Sequence, residues 1–152
     1  MIERIEIPPA MKEQIESHAL REYPSECCGM IFAPNGSDQL SRVRVCTNAQ
    51  DKYHDLDPES FPRKANTAYY IEPLELLRID KELRENDERI AVIYHSHPDV
   101  DAYFSEEDIR RAAPEGSPIY PGTAYLVVSV IKGEIKKRKT FYWDSENRTF
   151  VE

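Results

Sequence analysis

The spacing of apolar and polar positions changes several times along the chain, and each change marks an element. Ile2, Ile5 and Ile7 are interleaved with charged residues, which predicts a short strand over 1–7. Pro8-Pro9 opens a helix, since proline is tolerated in a first turn. Met11, Ile15 and Ala19 recur at helical spacing through about Glu22, and Tyr23-Pro24 ends the run because a residue before proline avoids helical backbone. The apolar run 27–32 predicts a buried strand. Asn35-Gly36 is a turn signal, and the alternating Arg42–Cys46 is the hairpin partner. Residues 47–66 are polar, rich in Asn, Asp and Pro, and read as a long loop of the kind that is often functional. Residues 67–71 have strand composition, with Tyr69-Tyr70-Ile71 a candidate sheet edge.

Pro73 starts a second helix, carrying Leu74, Leu77 and Leu83 to about Asn86. Residues 89–94 form a strand that delivers His95 and His97, and Pro98 is expected to stop the sheet pairing there. A short helix begins at Ser105. Ala124–Ile131 is apolar and β-branched, hence a central strand; Gly133 turns the chain into another strand over 134–143, and Thr149–Val151 adds a last one. No repeat, low-complexity tract or linker interrupts the sequence, so residues 1–152 are expected to form one domain.

Composition narrows the classes of function. A 40% apolar and 32% charged chain of 152 residues is expected to be a soluble globular protein. A net charge of −8 argues against nucleic acid, whose phosphates call for clustered Lys and Arg. The one dense basic run, Lys136-Lys137-Arg138-Lys139, is expected to be a solvated strand face. No stretch approaches the roughly 20 apolar residues of a membrane span, and the N-terminus lacks a signal-peptide core. Three cysteines, an odd number, suit a reducing compartment, so a cytoplasmic location is expected.

The chemistry concentrates at His95-Ser96-His97-Pro98. Alternate residues of a strand share a face, so the two imidazoles can grip one ion. Asp108 can supply a third ligand, and two His, one Asp and an open position form the donor set of a catalytic zinc. Asp108 has a competing role, since Ser105-Glu106-Glu107-Asp108 also reads as a helix capping box, and a carboxylate on a metal is not expected to reach back to the Ser105 amide as well. Hydrolysis needs a base, and Glu26, beside the buried run, is the candidate; a surface carboxylate at a strand start is the alternative. Cys28 and Cys46 read as buried packing. His18 and His54 read as solvent-facing, His54 within reach of a substrate.

Taken together, Glu26, His95-Ser96-His97-Pro98, the six residues 99–104 and Ser105-Glu106-Glu107-Asp108 resemble the JAMM motif of the JAB1/MPN/Mov34 metalloprotease family. Pro24-Ser25-Glu26-Cys27-Cys28-Gly29 also resembles that family's segment around its glutamate, notably in small bacterial members. The resemblance implies an α/β (α+β) fold similar to cytidine deaminases, a mixed curved β-sheet flanked by helices. It implies His95, His97 and Asp108 as Zn2+ ligands, Glu26 as general acid/base and Ser105 as oxyanion stabiliser. The implied activity is that of a zinc peptidase or isopeptidase acting on the C-terminal tail of a ubiquitin-like or sulfur-carrier protein. The alternative is a non-catalytic MPN scaffold. A zinc nucleoside deaminase would carry a P-C-x-x-C segment, which this sequence lacks. The oligomeric state is open.

Overall fold

The computed structural model describes residues 2–152. Among them the strands are β1 (Cys28–Pro34), β2 (Arg42–Cys46), β3 (Glu88–Pro98), β4 (Ala124–Ile131), β5 (Glu134–Asp144) and β6 (Thr149–Val151). The helices are α1 (Pro9–Glu22), α2 (Gln50–Leu56), α3 (Pro73–Asn86) and α4 (Glu106–Ala112). The strands form one mixed sheet in the order β2-β1-β3-β4-β5-β6. Only β3 and β4 run parallel. A parallel neighbour requires a crossover rather than a hairpin. Residues 99–123, which include α4, make it, and so carry Asp108 across the ends of the central strands.

Period-2 alternation sorts side chains onto two faces. Ile31, Val92, Tyr94, Leu126 and Val128 pack with Ile15 and Ala19 of α1 on one face. Cys28, Met30, Phe32, Ile93 and Tyr125 pack with Ile79 of α3 and Ala112 of α4 on the other. On the α1 face Gly29 is the cross-strand partner of Tyr94, and an added Cβ there would lie 2.3–2.4 Å from the buried Tyr94 ring, so a side chain at this position forces that ring to move. The Tyr94 ring lies over Gly29 and meets His18 of α1, with His18 Nδ1 2.8 Å from its hydroxyl. Polar clamps hold α3 to the edge of the sheet, with Arg44 contacting Glu75 at 2.8 Å and Glu82 at 2.9 Å.

Several sequence expectations are corrected. Residues 2–7 form no strand; Ile7 is buried and Ile2 and Ile5 pack against the α1-side core as irregular chain, while position 1 lies outside the described residues. The segment 47–66 contains α2, a helix that the polar composition concealed. Residues 69–71 are not a strand. Tyr70 N donates to Asn48 Oδ1 at 3.0 Å, its carbonyl accepts the Ala49 N–H at 2.8 Å, and the Tyr69 carbonyl accepts from Arg111. Those backbone groups are therefore engaged rather than offered as a sheet edge. The pairing of β3 with β4 continues through Pro98, opposite Val130, rather than stopping before it. Proline lacks only its N–H, and the Asp99 N–H takes the Val130 carbonyl at 2.7 Å. His18 is 2% exposed, not solvent-facing. His54 is half-buried, with Nδ1 2.8 Å from the Phe61 carbonyl. The basic run lies on β5, paired piecemeal with acids: Lys136 with Glu134, Lys137 with Asp101, Arg138 with Glu16 and Lys139 with Glu152. Among the described residues, no helix is long and apolar enough to cross a membrane.

Candidate active site

The last turn of β3 sets the site. β1 pairs with β3 only as far as Cys28 opposite His95, so His97 lies past the end of that neighbour while β4 still supports it. Ser96, on the opposite face, joins the strands: its Oγ accepts the Cys27 N–H at 2.8 Å and its own N–H donates to the Cys27 carbonyl at 3.1 Å. Glu26 is one residue from that double contact, and the Asp108 charge reaches its carboxyl. Nothing in the sequence reading singled out Ser96, although a small polar residue between two inward histidines was the available signal.

The crossover delivers the third group. Asp99, at φ +60°, a conformation aspartate tolerates, turns the chain out of β3. Its carboxylate accepts the Lys132 N–H at 2.8 Å and the Tyr23 hydroxyl at 2.7 Å. Ser105 then caps α4: its Oγ accepts the Asp108 N–H at 3.0 Å, while Asp108 Oδ2 accepts the Ser105 N–H at 3.0 Å. That same Oδ2 lies 3.1 Å from His95 Nε2 and 3.3 Å from His97 Nε2, and the two Nε2 atoms are 3.2 Å apart. The sequence reading set a metal-bound Asp108 against its reach back to the Ser105 amide, with Ser105 still free to cap. Here the one oxygen that accepts the Ser105 N–H also faces both histidines, and a carboxylate oxygen has two lone pairs. Ser105 accepts one hydrogen bond in the cap, which leaves its own O–H free to donate.

This donor set fits a metal ion. His97 Nδ1 is 2.9 Å from the Asp101 carbonyl, which fixes the proton on Nδ1 and leaves a bare lone pair on Nε2. That lone pair faces the lone pairs of Asp108 Oδ2, and His95 Nε2 has at most one proton to share between them. The excess of acceptors calls for a cation. Ligand atoms about 2.0–2.1 Å from a tetrahedral ion sit roughly 3.3 Å from one another, against 3.1–3.3 Å here. All three groups are at most 8% exposed. Tyr69 stacks on the His95 ring at 4.9 Å and Tyr103 meets His97 edge-on at 4.9 Å, which fixes both imidazoles.

The electrostatics separate the two carboxylates. Burial pushes the Asp108 carboxyl up, but the charge and hydrogen bonds of His95, then His97 and the Ser105 amide, outweigh it and hold the group ionised well below the usual range. Burial pushes Glu26 well above it, the Asp108 charge adds to the rise, and Arg111 and Arg63 offset only part. Glu26 is 4% exposed and its Oε1 has no partner. A buried carboxyl with an idle oxygen, within reach of the charge of a cluster that could hold a metal, is equipped to carry a proton. Cys28 and Cys46 are free, buried thiols outside the donor cluster, and burial raises both.

Residues 8–144 match the family of prokaryotic homologs of the JAB domain. The chain belongs to that family. Within it, the CysO-cysteine peptidase of Mycobacterium tuberculosis is 32% identical over 113 residues, 74% of this chain and 64% of that protein. The chain therefore spans less than two thirds of the length of that relative. A probable TtuB-protein conjugate cleaving protease of Thermus thermophilus is 32% identical over 106 residues, 70% of this chain and 62% of the relative. The solution structure of a Desulfitobacterium hafniense protein superposes with a TM-score of 0.68 at 23% identity, covering 94% of this chain and 86% of the other, so the two share a fold. A mixed sheet flanked by helices, the arrangement expected of a JAB domain, is the fold this chain adopts.

Proposed function

We propose that residues 1–152 act as a single catalytic JAB domain, a zinc-dependent peptidase that hydrolyses an amide bond at the C-terminal tail of a ubiquitin-like or sulfur-carrier protein. The observation that carries this reading is the convergence of His95 Nε2, His97 Nε2 and Asp108 Oδ2 within 3.1–3.3 Å, with a buried carboxyl, Glu26, within reach of the Asp108 charge. Family membership and relatives named for cleaving such carriers support the substrate class. The three free thiols support a reducing, cytoplasmic setting.

His95, His97 and Asp108 would hold Zn2+, an assignment favoured by the nitrogen-rich donor set over magnesium or calcium, which take oxygen ligands. Bound there, the ion supplies Lewis acidity, polarising a scissile carbonyl and acidifying water. Glu26 takes the proton from the attacking water; its burial gives it a proton affinity suited to that exchange. It then releases the proton to the departing amine. The Ser105 hydroxyl, held in place by its cap contact, donates to the oxygen that gains negative charge. Asp108 stays ionised throughout, so it remains a ligand and not a competitor for the proton.

The test is to incubate zinc-loaded protein with a panel of C-terminally extended ubiquitin-like and sulfur-carrier proteins, read by intact mass spectrometry. The expected result is shortening of at least one carrier by a defined C-terminal fragment. Stoichiometric zinc with no cleavage of any carrier would favour the scaffold alternative.

A further inference from the structure

The segment that is hydrogen-bonded to the Glu26 backbone carries a cation that the proposed hydrolysis leaves unused. Arg63 lies between α2 and α3 in a segment without regular structure that is nonetheless anchored against Glu26. The Glu26 N–H donates to the Ala65 carbonyl at 2.8 Å, and the Ala65 N–H donates to Asp51 Oδ1 at 2.7 Å. Buried Gln50 donates Nε2 to the Arg63 carbonyl at 2.9 Å, while Asn48 Nδ2 reaches both the Glu26 carbonyl at 2.9 Å and the Ala68 carbonyl at 3.1 Å. The backbone beneath Arg63 is thus fixed relative to the carboxyl group.

The side chain is a different matter. Arg63 is exposed, and among the described residues its guanidinium makes one hydrogen bond, Nη1 to the Thr67 carbonyl at 3.3 Å, and no ion pair. Arg111, the other cation whose charge reaches Glu26, is spent: it pairs with Glu107 at 3.1 Å and donates to the Tyr69 carbonyl and to Gln50 Oε1. Most of the five N–H donors of Arg63 remain open to an anion arriving from solvent.

We infer that Arg63 binds the free α-carboxylate of a single amino acid leaving the C-terminus of the substrate, and so sets specificity; the inference rests on the hydrolysis proposed above. In that reaction the C–N bond breaks, the carbonyl carbon keeps the water oxygen, and the nitrogen takes the proton Glu26 carried. The leaving amine is therefore on the Glu26 side. In a terminal amino acid the carboxylate carbon is two bonds beyond that nitrogen, so its charge emerges next to Glu26, on the side where the exposed Arg63 segment is anchored. A guanidinium matches a carboxylate with two parallel hydrogen bonds. An isopeptide to a lysine side chain places no anion there. Arg63 accordingly selects removal of one terminal residue over release of a protein conjugate.

The experiment uses zinc-loaded full chain and a carrier cleaved in the panel above, extended by one alanine and prepared as the free acid and as the C-terminal carboxamide. A charge-assisted contact of this kind predicts that the acid is cut about 10- to 100-fold more efficiently than the amide. R63M should bring the acid down to the rate of the amide, with the loss in KM rather than kcat, and R63K should recover part of it. Equal cleavage of both forms by the wild-type chain, or an R63M that lowers kcat on both alike, would overturn the carboxylate role while leaving the hydrolysis intact. A wild-type chain that binds zinc and cuts neither form would instead bring down the hydrolysis itself.

Discussion

Each face of the sheet buries a histidine in a polar contact, and the two contacts are built on opposite principles. On the α1 face, His18 meets one partner, the Tyr94 hydroxyl, at 2.8 Å, and a neutral ring and a hydroxyl satisfy each other. On the α4 face, His95 meets His97 and Asp108 at 3.2 and 3.1 Å, where acceptors outnumber protons. The first arrangement is complete as protein alone. The second becomes favourable when a cation joins it. Burial and proximity are common to both, so neither separates them; the surplus of lone pairs does, and it is what makes the second cluster the candidate metal site.

The comparison can be broken at several points. The largest effect is expected from Glu26→Gln, which removes the proton carrier and keeps the shape. Hydrolysis should fall by about 10²–10⁴-fold, the range of general acid–base contributions, with bound metal retained; normal cleavage would remove Glu26 from the chemistry. Asp108→Ala should weaken metal affinity by more than the roughly 10–100-fold typical of losing a partner one shell out, measured by competition with a chromophoric chelator. An unchanged affinity would reduce Asp108 to its cap of α4. On the other face, Gly29→Ala drives a methyl into the Tyr94 ring and should cost about 1–3 kcal/mol in urea unfolding. Its zinc stoichiometry should stay that of the wild type.

The smallest effect concerns His18→Leu, which strands the Tyr94 hydroxyl and should cost about 1 kcal/mol near neutral pH. Its informative readout is pH. Burial pushes the His18 pKa down, with Glu22 opposing and Arg21 assisting. The unfolded chain therefore takes up a proton at this position before the folded one does. The His18 contribution is complete above the unfolded value near 6.5 and is lost as pH falls from there toward the lower folded value. The gap between wild type and His18→Leu should narrow on acidification across that window. A gap that widens would mean the ring is buried in its charged form.

What could be read from the sequence follows from which forces it exposes. Apolar period and proline punctuation located α1, α3, β2 and β4, because those elements exist to bury one stripe or one face. α2 was invisible for the same reason. Its one buried residue is Gln50, and it is held by polar contacts from Gln50 to Arg63 and from Asp51 to Ala65, which leave no periodic trace. Residues 69–71 have strand composition, yet their backbone is taken up by Asn48, Ala49 and Arg111, partners distant in sequence or unmarked by it. His18 read as a surface residue because nothing local indicates that Tyr94, whose ring lies over Gly29 on other elements, meets it.

The convergence of the candidate residues was more legible than the fold around it, since His95, His97 and Asp108 stand at fixed spacing on elements whose ends the sequence marks. Its supporting contacts were not. Ser96 joining Cys27, Asp101 orienting His97 and Tyr69 covering His95 depend on strand pairing and on the course of the crossover. The double duty of Asp108 Oδ2 could be decided only by coordinates.

The most direct test is the zinc content of purified, reconstituted protein by inductively coupled plasma mass spectrometry, comparing the wild-type chain with His97→Ala and His18→Leu. The account predicts one zinc per chain in the wild type and in His18→Leu, and a loss of stoichiometric zinc in His97→Ala. A wild-type chain that retains no zinc, or a His97→Ala variant that retains it fully, would contradict the central claim.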